Sequence, residues 1–382
     1  MKIRVRPLLA TIHLWTGIAL CLPLVLLGIT GALLVYDHDI EALFGDSPPQ
    51  IARSNVAFVP VEAQIAAAKT ANTDASLIPV AYTPPQVPGD VARVRFGQVG
   101  RGGPPVGAVI FVDPTNATVL GMQNTGAGWM RTVHVMHGSL GMRDRTGREI
   151  VGWFGVAMLF LGVSGVVMWW PRPGRWAAAF KVSSKARGQR LHRELHGAVG
   201  IWSLLVFIIV SFSGTYIVFP ETLGTVFGGA PTNAPPPKVE AARDATMLPL
   251  DASIEAARAV VGSDIIRLVG PAARRDQPVR VQLARAGDKE GAPTISVFVD
   301  PFTARVLDVR DPNQQSTGRI VQAWQRAIHA GRGLGPIWQA AVFISGLLPP
   351  LFAITGISMW LLRRRARRAT DERVRAALAT SS

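Results

Sequence analysis

His196-Gly-Ala-Val-Gly-Ile-Trp-Ser-Leu-Leu-Val-Phe-Ile-Ile-Val-Ser-Phe-Ser-Gly-Thr-Tyr-Ile-Val-Phe-Pro220 runs for 25 residues without an Asp, Glu, Lys or Arg. A helix needs about 20 predominantly apolar residues to cross a bilayer, so this run is long enough to span one. Pro7–Tyr36, Ile150–Trp170 and Ile337–Leu362 share the property. One such segment fits the interior of a large soluble protein; four do not. The sequence therefore predicts a polytopic membrane protein with transmembrane helices at 7–36, 150–170, 196–220 and 337–362. The first run follows Lys2, Arg4 and Arg6 like a signal peptide. It is too long for an h-region and ends without a small-residue cleavage pattern, so it reads as a retained span.

The composition agrees. The 382 residues are 48% hydrophobic and only 17% charged, against about 25% charged in a soluble domain. The net charge of +15 would suit nucleic acid or an acidic surface if it were spread over a folded domain. It is not. The N-terminus, the connection 171–195 and the tail 363–382 together hold 17 basic residues and three acidic ones. The rest of the chain is nearly neutral. Under the positive-inside rule these three segments are cytoplasmic, and 37–149 and 221–336 lie outside. The excess charge sets orientation and implies no nucleic-acid partner. A single cysteine, Cys21, excludes an internal disulfide and covalent Cys-x-x-Cys-His haem attachment.

The two halves repeat each other. His13-x3-Gly17, Thr30-Gly31, Tyr36 and Phe44 correspond to His196-x3-Gly200, Ser213-Gly214, Phe219 and Phe227, each displaced by 183 positions. Phe111-Val-Asp-Pro114 answers Phe298-Val-Asp-Pro301, and His137 before the second span answers His329 before the fourth. Both copies leave through an odd span and return through an even one, which makes a parallel repeat and a four-helix bundle of two hairpins. Each outer segment carries a helical pattern (Val61–Lys69; Asp251–Val261) followed by strands at 91–96, 110–113, 279–283 and 295–300, the last of each set closed by an Asp-Pro turn. Two small α+β domains are expected, the second entered through a stiff Ala234-Pro-Pro-Pro237 linker. Pro23 and Pro349-Pro350 are positions where spans one and four are expected to kink.

Seven histidines carry most of the functional signal. His13, His192 and His196 lie at the cytoplasmic ends of spans; His38, His134, His137 and His329 lie at the outer ends. The repeat relates His13 to His196, and His137 or His134 to His329. Neutral imidazole binds Zn, Cu and Fe. The spans contain no carboxylate to complete a zinc or copper site, whereas two imidazoles suit the axial positions of haem iron. Gly17 and Gly200, one turn from His13 and His196, leave room for a flat macrocycle, and further small residues continue the pattern (Gly28, Gly31, Gly162, Gly165, Gly214, Gly346, Gly356). Arg131, Arg190, Arg193 and Arg326 are near enough in sequence to meet propionates, and Trp129, Trp324 and Trp338 flank the outer histidines as an interfacial belt.

Leu191-His-Arg-Glu-Leu-His-Gly-Ala-Val-Gly200, the Thr/Ser-Gly ending each odd span, His137-Gly-Ser-Leu140 and the closing Gly165-x2-Met-Trp-Trp-Pro-Arg172 together resemble the PepSY-associated transmembrane family. Within it the chain is similar to the FoxB-type inner-membrane siderophore reductases of Gram-negative bacteria. The resemblance covers essentially the whole chain. It implies periplasmic PepSY-like domains at 37–149 and 221–336, two non-covalent b-type haems, and reduction of a hydroxamate-type ferric siderophore. The axial ligands expected are His13, His196, His137 and His329, with His134 an alternate to His137 and His192 an alternate to His196. The expected activity is an oxidoreductase passing electrons across the inner membrane and releasing Fe(II). Gly97-x2-Gly100-x-Gly102-Gly103 precedes no helix, and no flavin or nicotinamide site is found. The donor is then a quinol or a cytoplasmic reductant. A haem-free PepSY sensor or inhibitor on a membrane anchor, and a transporter of the intact ferric chelate, are the competing readings.

Overall fold

A computed structural model describes residues 5–44, 48–52, 56–98, 107–124, 128–142, 144–227, 235–240 and 244–380. Most of the glycine-rich run at 97–103 and the start of the linker at Ala234 fall outside the described residues. The chain divides into two compact units. One comprises Met1–Tyr36, Val133–Phe219 and Ile328–Ser382, the other Asp37–Thr132 and Pro220–Ala327.

The order of elements is the same in both halves. The first runs α1 (Val5–Val35), α2 (Asp37–Leu43), α3 (Val61–Ala71), β1 (Ile78–Thr83), β2 (Ala92–Gly97), β3 (Ala108–Val112), β4 (Val119–Asn124), α4 (Trp129–Ser139) and α5 (Arg145–Trp169). A short α6 (Trp176–Ala179) leads to the second half. That half has α7 (Gly188–Val218), α8 (Pro220–Val226), α9 (Leu250–Val261), β5 (Ile266–Gly270), β6 (Val279–Leu283), β7 (Ile295–Val299), β8 (Val306–Arg310), α10 (Thr317–His329), α11 (Pro336–Gly346) and α12 (Leu348–Thr380).

Four helical stretches are long and apolar enough to cross a membrane: Val5–Val35, Arg145–Trp169, Gly188–Val218 and Pro336–Thr380. The protein is a multi-pass membrane protein. Each charge-free run coincides with one of them to within two residues at its C-terminal end or lies inside it, and each helix begins before its run because the backbone bonds propagate. Span four departs from a single helix. Pro349 and Pro350 cannot donate to carbonyls one turn back, so the chain breaks at Leu347 and restarts with both prolines in the first turn of α12, where no donor is needed. Pro23, by contrast, lies within a continuous α1.

In the bundle, α1 packs on α5, α11 and α12, and α7 packs on α5 and α12. Lipid tails supply no hydrophobic drive between helices, so close approach of small residues holds them together. A Cβ on Gly28 would stand 2.5 Å from the Gly346 carbonyl oxygen, and one on Gly162 would stand 2.8 Å from Ile208. Part of the glycine pattern is therefore helix packing.

The second unit differs from the two separate domains expected. Its eight strands form one antiparallel sheet in the order β4-β3-β2-β1-β5-β6-β7-β8, and the halves join where β1 pairs β5 at Tyr82 and Val269. One core runs through both, with Ile65 and Ala68 of α3 and Ile254 and Ala257 of α9 over Val94, Ile110, Val281 and Val297. Strands β1, β4, β5 and β8 were not expected. The two Asp-Pro turns match: Asp113 and Asp300 each accept a backbone N–H two residues on, and Ala117 and Ala304 take left-handed φ of 59° and 56°. The halves also cap each other. The Asp251 carboxylate accepts from the N–H groups of Val61 (2.9 Å) and Glu62 (3.1 Å), and Glu62 accepts from Leu250 N–H (3.3 Å). Neither helix N-terminus, each preceded by proline, has a side-chain cap of its own.

Candidate functional site

The bundle unit takes in Val133 onward and Ile328 onward, earlier than the spans predicted at 150 and 337. The reason lies in α4 and α10, whose last turns carry His137 and His329 and pack them onto α1 and α7. Two histidine pairs result. His13 of α1 and His196 of α7 have ring centres 6.4 Å apart; they form the basic-end pair, next to the charged segments. His137 and His329, the far-end pair, have ring centres 6.0 Å apart. All four rings are half-buried.

Each histidine meets a Ser-Gly or Thr-Gly pair on a different helix. His13 Nδ1 lies 2.8 Å from Ser164 Oγ of α5, and His196 Nδ1 lies 2.8 Å from Thr355 Oγ1 of α12. At the far end, His137 Nδ1 is 3.1 Å from Thr30 Oγ1 of α1, and His329 Nδ1 is 3.2 Å from Ser213 Oγ of α7. The following glycine admits the ring. A Cβ on Gly31 would stand 2.9 Å from His137 Cε1, and one on Gly214 2.8 Å from His329 Cε1. The corresponding distances at Gly165 and Gly356 are 3.7 and 3.8 Å, ordinary contacts.

These bonds favour one tautomer. Each hydroxyl already donates to a carbonyl in its own helix: Ser164 to Phe160 (2.6 Å), Thr355 to Leu351 (2.8 Å), Thr30 to Leu26 (2.7 Å) and Ser213 to Val210 (3.0 Å). Towards histidine its oxygen is then an acceptor, and Nδ1–H is the donor. His137 Nδ1 also lies 3.1 Å from the Leu27 carbonyl and His329 Nδ1 3.0 Å from that of Val210; a carbonyl can only accept. Nε2, across each ring, keeps its lone pair. That is the form in which imidazole binds a metal.

The pair spacing fits a shared ion. Two imidazoles that each place a nitrogen about 2 Å from one metal, on opposite sides, have ring centres roughly 6 Å apart. Among the described residues no three His, Cys, Asp or Glu side chains gather as metal ligands. An ion held by either pair would need ligands besides these two imidazoles, and a planar four-nitrogen macrocycle is one group that supplies them. Beside Gly17 a Cβ would meet nothing within 4 Å, and beside Gly200 only the Phe352 ring at 3.9 Å.

The alternates are not brought into either pair. His134 is exposed on α4, one turn before His137. His192 lies one turn before His196, and its Nδ1 is closed off from solvent with no hydrogen-bond partner among the described residues. His38 belongs to α2 in the other unit. Arg190 is paired with Glu194 at 2.6 Å, and Trp338 Nε1 donates to the Ile328 carbonyl, steadying the residue before His329. The hydroxyl acceptors were not legible as such. Thr16-Gly17 and Ser345-Gly346 are the same dipeptides, and among the described residues Ser345 Oγ bonds to Val342 O in its own helix.

Residues 10–363 match the family model described as the PepSY-associated TM region. An uncharacterized protein of Pseudomonas aeruginosa is 28% identical over 266 residues, which cover 60% of this chain and 62% of that relative. The match thus spans a little under two thirds of the relative's length.

Proposed function

The chain belongs to the PepSY-associated transmembrane family, and from that premise we propose that it is a two-haem inner-membrane reductase that passes electrons to a ferric siderophore in the periplasm. The observation that carries this reading is the pair of histidine pairs, each with Nδ1–H tied to a neighbouring helix and ring centres 6.4 and 6.0 Å apart. His13 and His196 hold one b-type haem, His137 and His329 the other. Bound there, haem supplies a one-electron Fe(III)/Fe(II) couple.

The chain's own part is to hold the two sites at opposite ends of the same helices. His13 and Thr30, which serve different sites, are both on α1, as His196 and Ser213 are both on α7. Seventeen residues of helix separate the members of each set, about 25 Å at 1.5 Å per residue. Two sites so placed divide a hydrocarbon layer of about 30 Å into shorter intervals. The basic segments orient the protein with both termini and the basic-end pair in the cytoplasm. Electrons come from a quinol or a cytoplasmic reductant. The acceptor is a hydroxamate-type chelate, whose hard oxygens hold Fe(III) far better than Fe(II), so that reduction releases the metal.

The test is an absorption spectrum of the full-length protein purified from haem-replete cells. Reversible Soret and α-band changes of bis-imidazole haem, at two haems per chain, are expected. Their absence would overturn the proposal and favour a haem-free sensor on a membrane anchor. With haem present, failure to reduce a ferric hydroxamate while accumulating it intact in vesicles would favour transport.

A further inference from the structure

The two ends hold their histidines by different means, and the difference singles out two residues. At the basic end, among the described residues, the hydroxyl is the one acceptor for each Nδ1–H: Ser164 Oγ for His13 and Thr355 Oγ1 for His196, both at 2.8 Å. At the far end each Nδ1–H is shared between a hydroxyl and a backbone carbonyl, at 3.0 to 3.2 Å. Resting on the two-haem reading above, we propose that Ser164 and Thr355 are positioning residues that set the tautomer and donor strength of the basic-end histidines. At the far end the carbonyls of Leu27 and Val210 suffice to set the tautomer, and the Thr30 and Ser213 hydroxyls add contact to the seat without deciding it.

The chemistry follows from what each substitution leaves behind. Ser164→Ala removes the one acceptor that faces His13 Nδ1 among the described residues, and an N–H shielded from water without a partner is costly. The ring then loses its reason to keep the proton on Nδ1, and Nε2 loses part of its donor strength, because an acceptor on the far nitrogen raises the basicity of the ligating one. A weaker donor stabilises Fe(III) less, so the midpoint potential of that centre rises. Thr30→Ala leaves the Leu27 carbonyl in place, and a carbonyl accepts whatever the side chain does. A merely structural role for Ser164 would alter stability without moving either tautomer or potential. Ser164→Thr retains the hydroxyl and is the conservative rescue.

Full-length protein with 15N-labelled histidine rings, prepared from haem-deficient and haem-replete cells, separates the possibilities. In the haem-free protein, nitrogen shifts should report Nδ1–H at all four histidines. Ser164→Ala and Thr355→Ala should each move one basic-end histidine to a mixture with Nε2–H, while Thr30→Ala, Ser213→Ala and Ser164→Thr should not. In the haem-loaded protein, Ser164→Ala should raise one of the two midpoints by on the order of a tenfold change in the oxidised-to-reduced ratio, about 59 mV for one electron. Thr30→Ala should leave both within a small fraction of that. Nε2–H rings in the unaltered protein, or equal responses to Ser164→Ala and Thr30→Ala, overturn the proposal. A protein that never takes up haem overturns the two-haem reading instead, and the haem-free arm still decides the tautomers.

Discussion

The basic-end and far-end pairs use the same residue types yet solve different problems. His13 and His196 are part of spans α1 and α7, so the spans themselves position them, and one hydroxyl bond each from α5 and α12 completes the orientation. His137 and His329 come from α4 and α10, which are not spans, and must be received by α1 and α7. The receiving helix therefore offers more: a hydroxyl, a carbonyl, and a glycine on which the ring rests. A ligand built into a rigid element needs one further contact, whereas a ligand delivered from a short helix needs a prepared seat.

Substituting the proposed haem ligands breaks the comparison most severely. His13→Ala should remove one haem and leave the other, and His329→Ala should do the reverse, each roughly halving the reduced-minus-oxidised α-band. Loss of both centres from either variant would show that the pairs are not independent. A sharper contrast comes from the glycines. Gly31→Ala and Gly214→Ala put a methyl 2.9 and 2.8 Å from an imidazole carbon, and should displace the ring and cost most of the far-end haem. Gly165→Ala and Gly356→Ala meet the basic-end rings at 3.7 and 3.8 Å and should retain both haems. Equal losses at all four positions would contradict the seat described for the far end.

Smaller effects are expected in the sheet unit, where the same unequal sharing of contacts recurs. Asp251 supplies two hydrogen bonds to the N-terminus of α3, while Glu62 returns one long bond to α9. Asp251→Ala should lower unfolding stability by about 1 kcal/mol, as loss of a helix cap does, and Glu62→Ala by less; thermal unfolding of the full chain measures both. His134→Ala, at an exposed position on α4, should leave the haem spectrum as it was. Loss of a centre there would exchange the roles of His134 and His137.

Much of this was readable along the chain because the signals are local. A charge-free run reports a span wherever the helix ends up. The constant offset of 183 positions pairs His13 with His196 independently of any contact. Strands β2, β3, β6 and β7 were legible for a similar reason: they are inner strands, and their apolar residues are buried. The outermost strands, β4 and β8, pair on one side only and carry mixed residues such as Val119-Leu-Gly-Met-Gln-Asn124. The central β1 opens with Ile78-Pro79 and bulges between Pro79 and Ala81, which hides its period.

The sequence by itself determined the number of spans and the candidate histidines, since hydropathy and residue identity belong to single segments. Only the tertiary structure decided that the two outer segments share one sheet and one core, because strand pairing depends on which edges meet. It alone separated His137 from His134 as the partner of His329. It also gave Ser164, Thr355, Thr30 and Ser213 their place beside the imidazoles. A hydrogen bond between residues more than a hundred positions apart leaves no mark on either helix's own sequence.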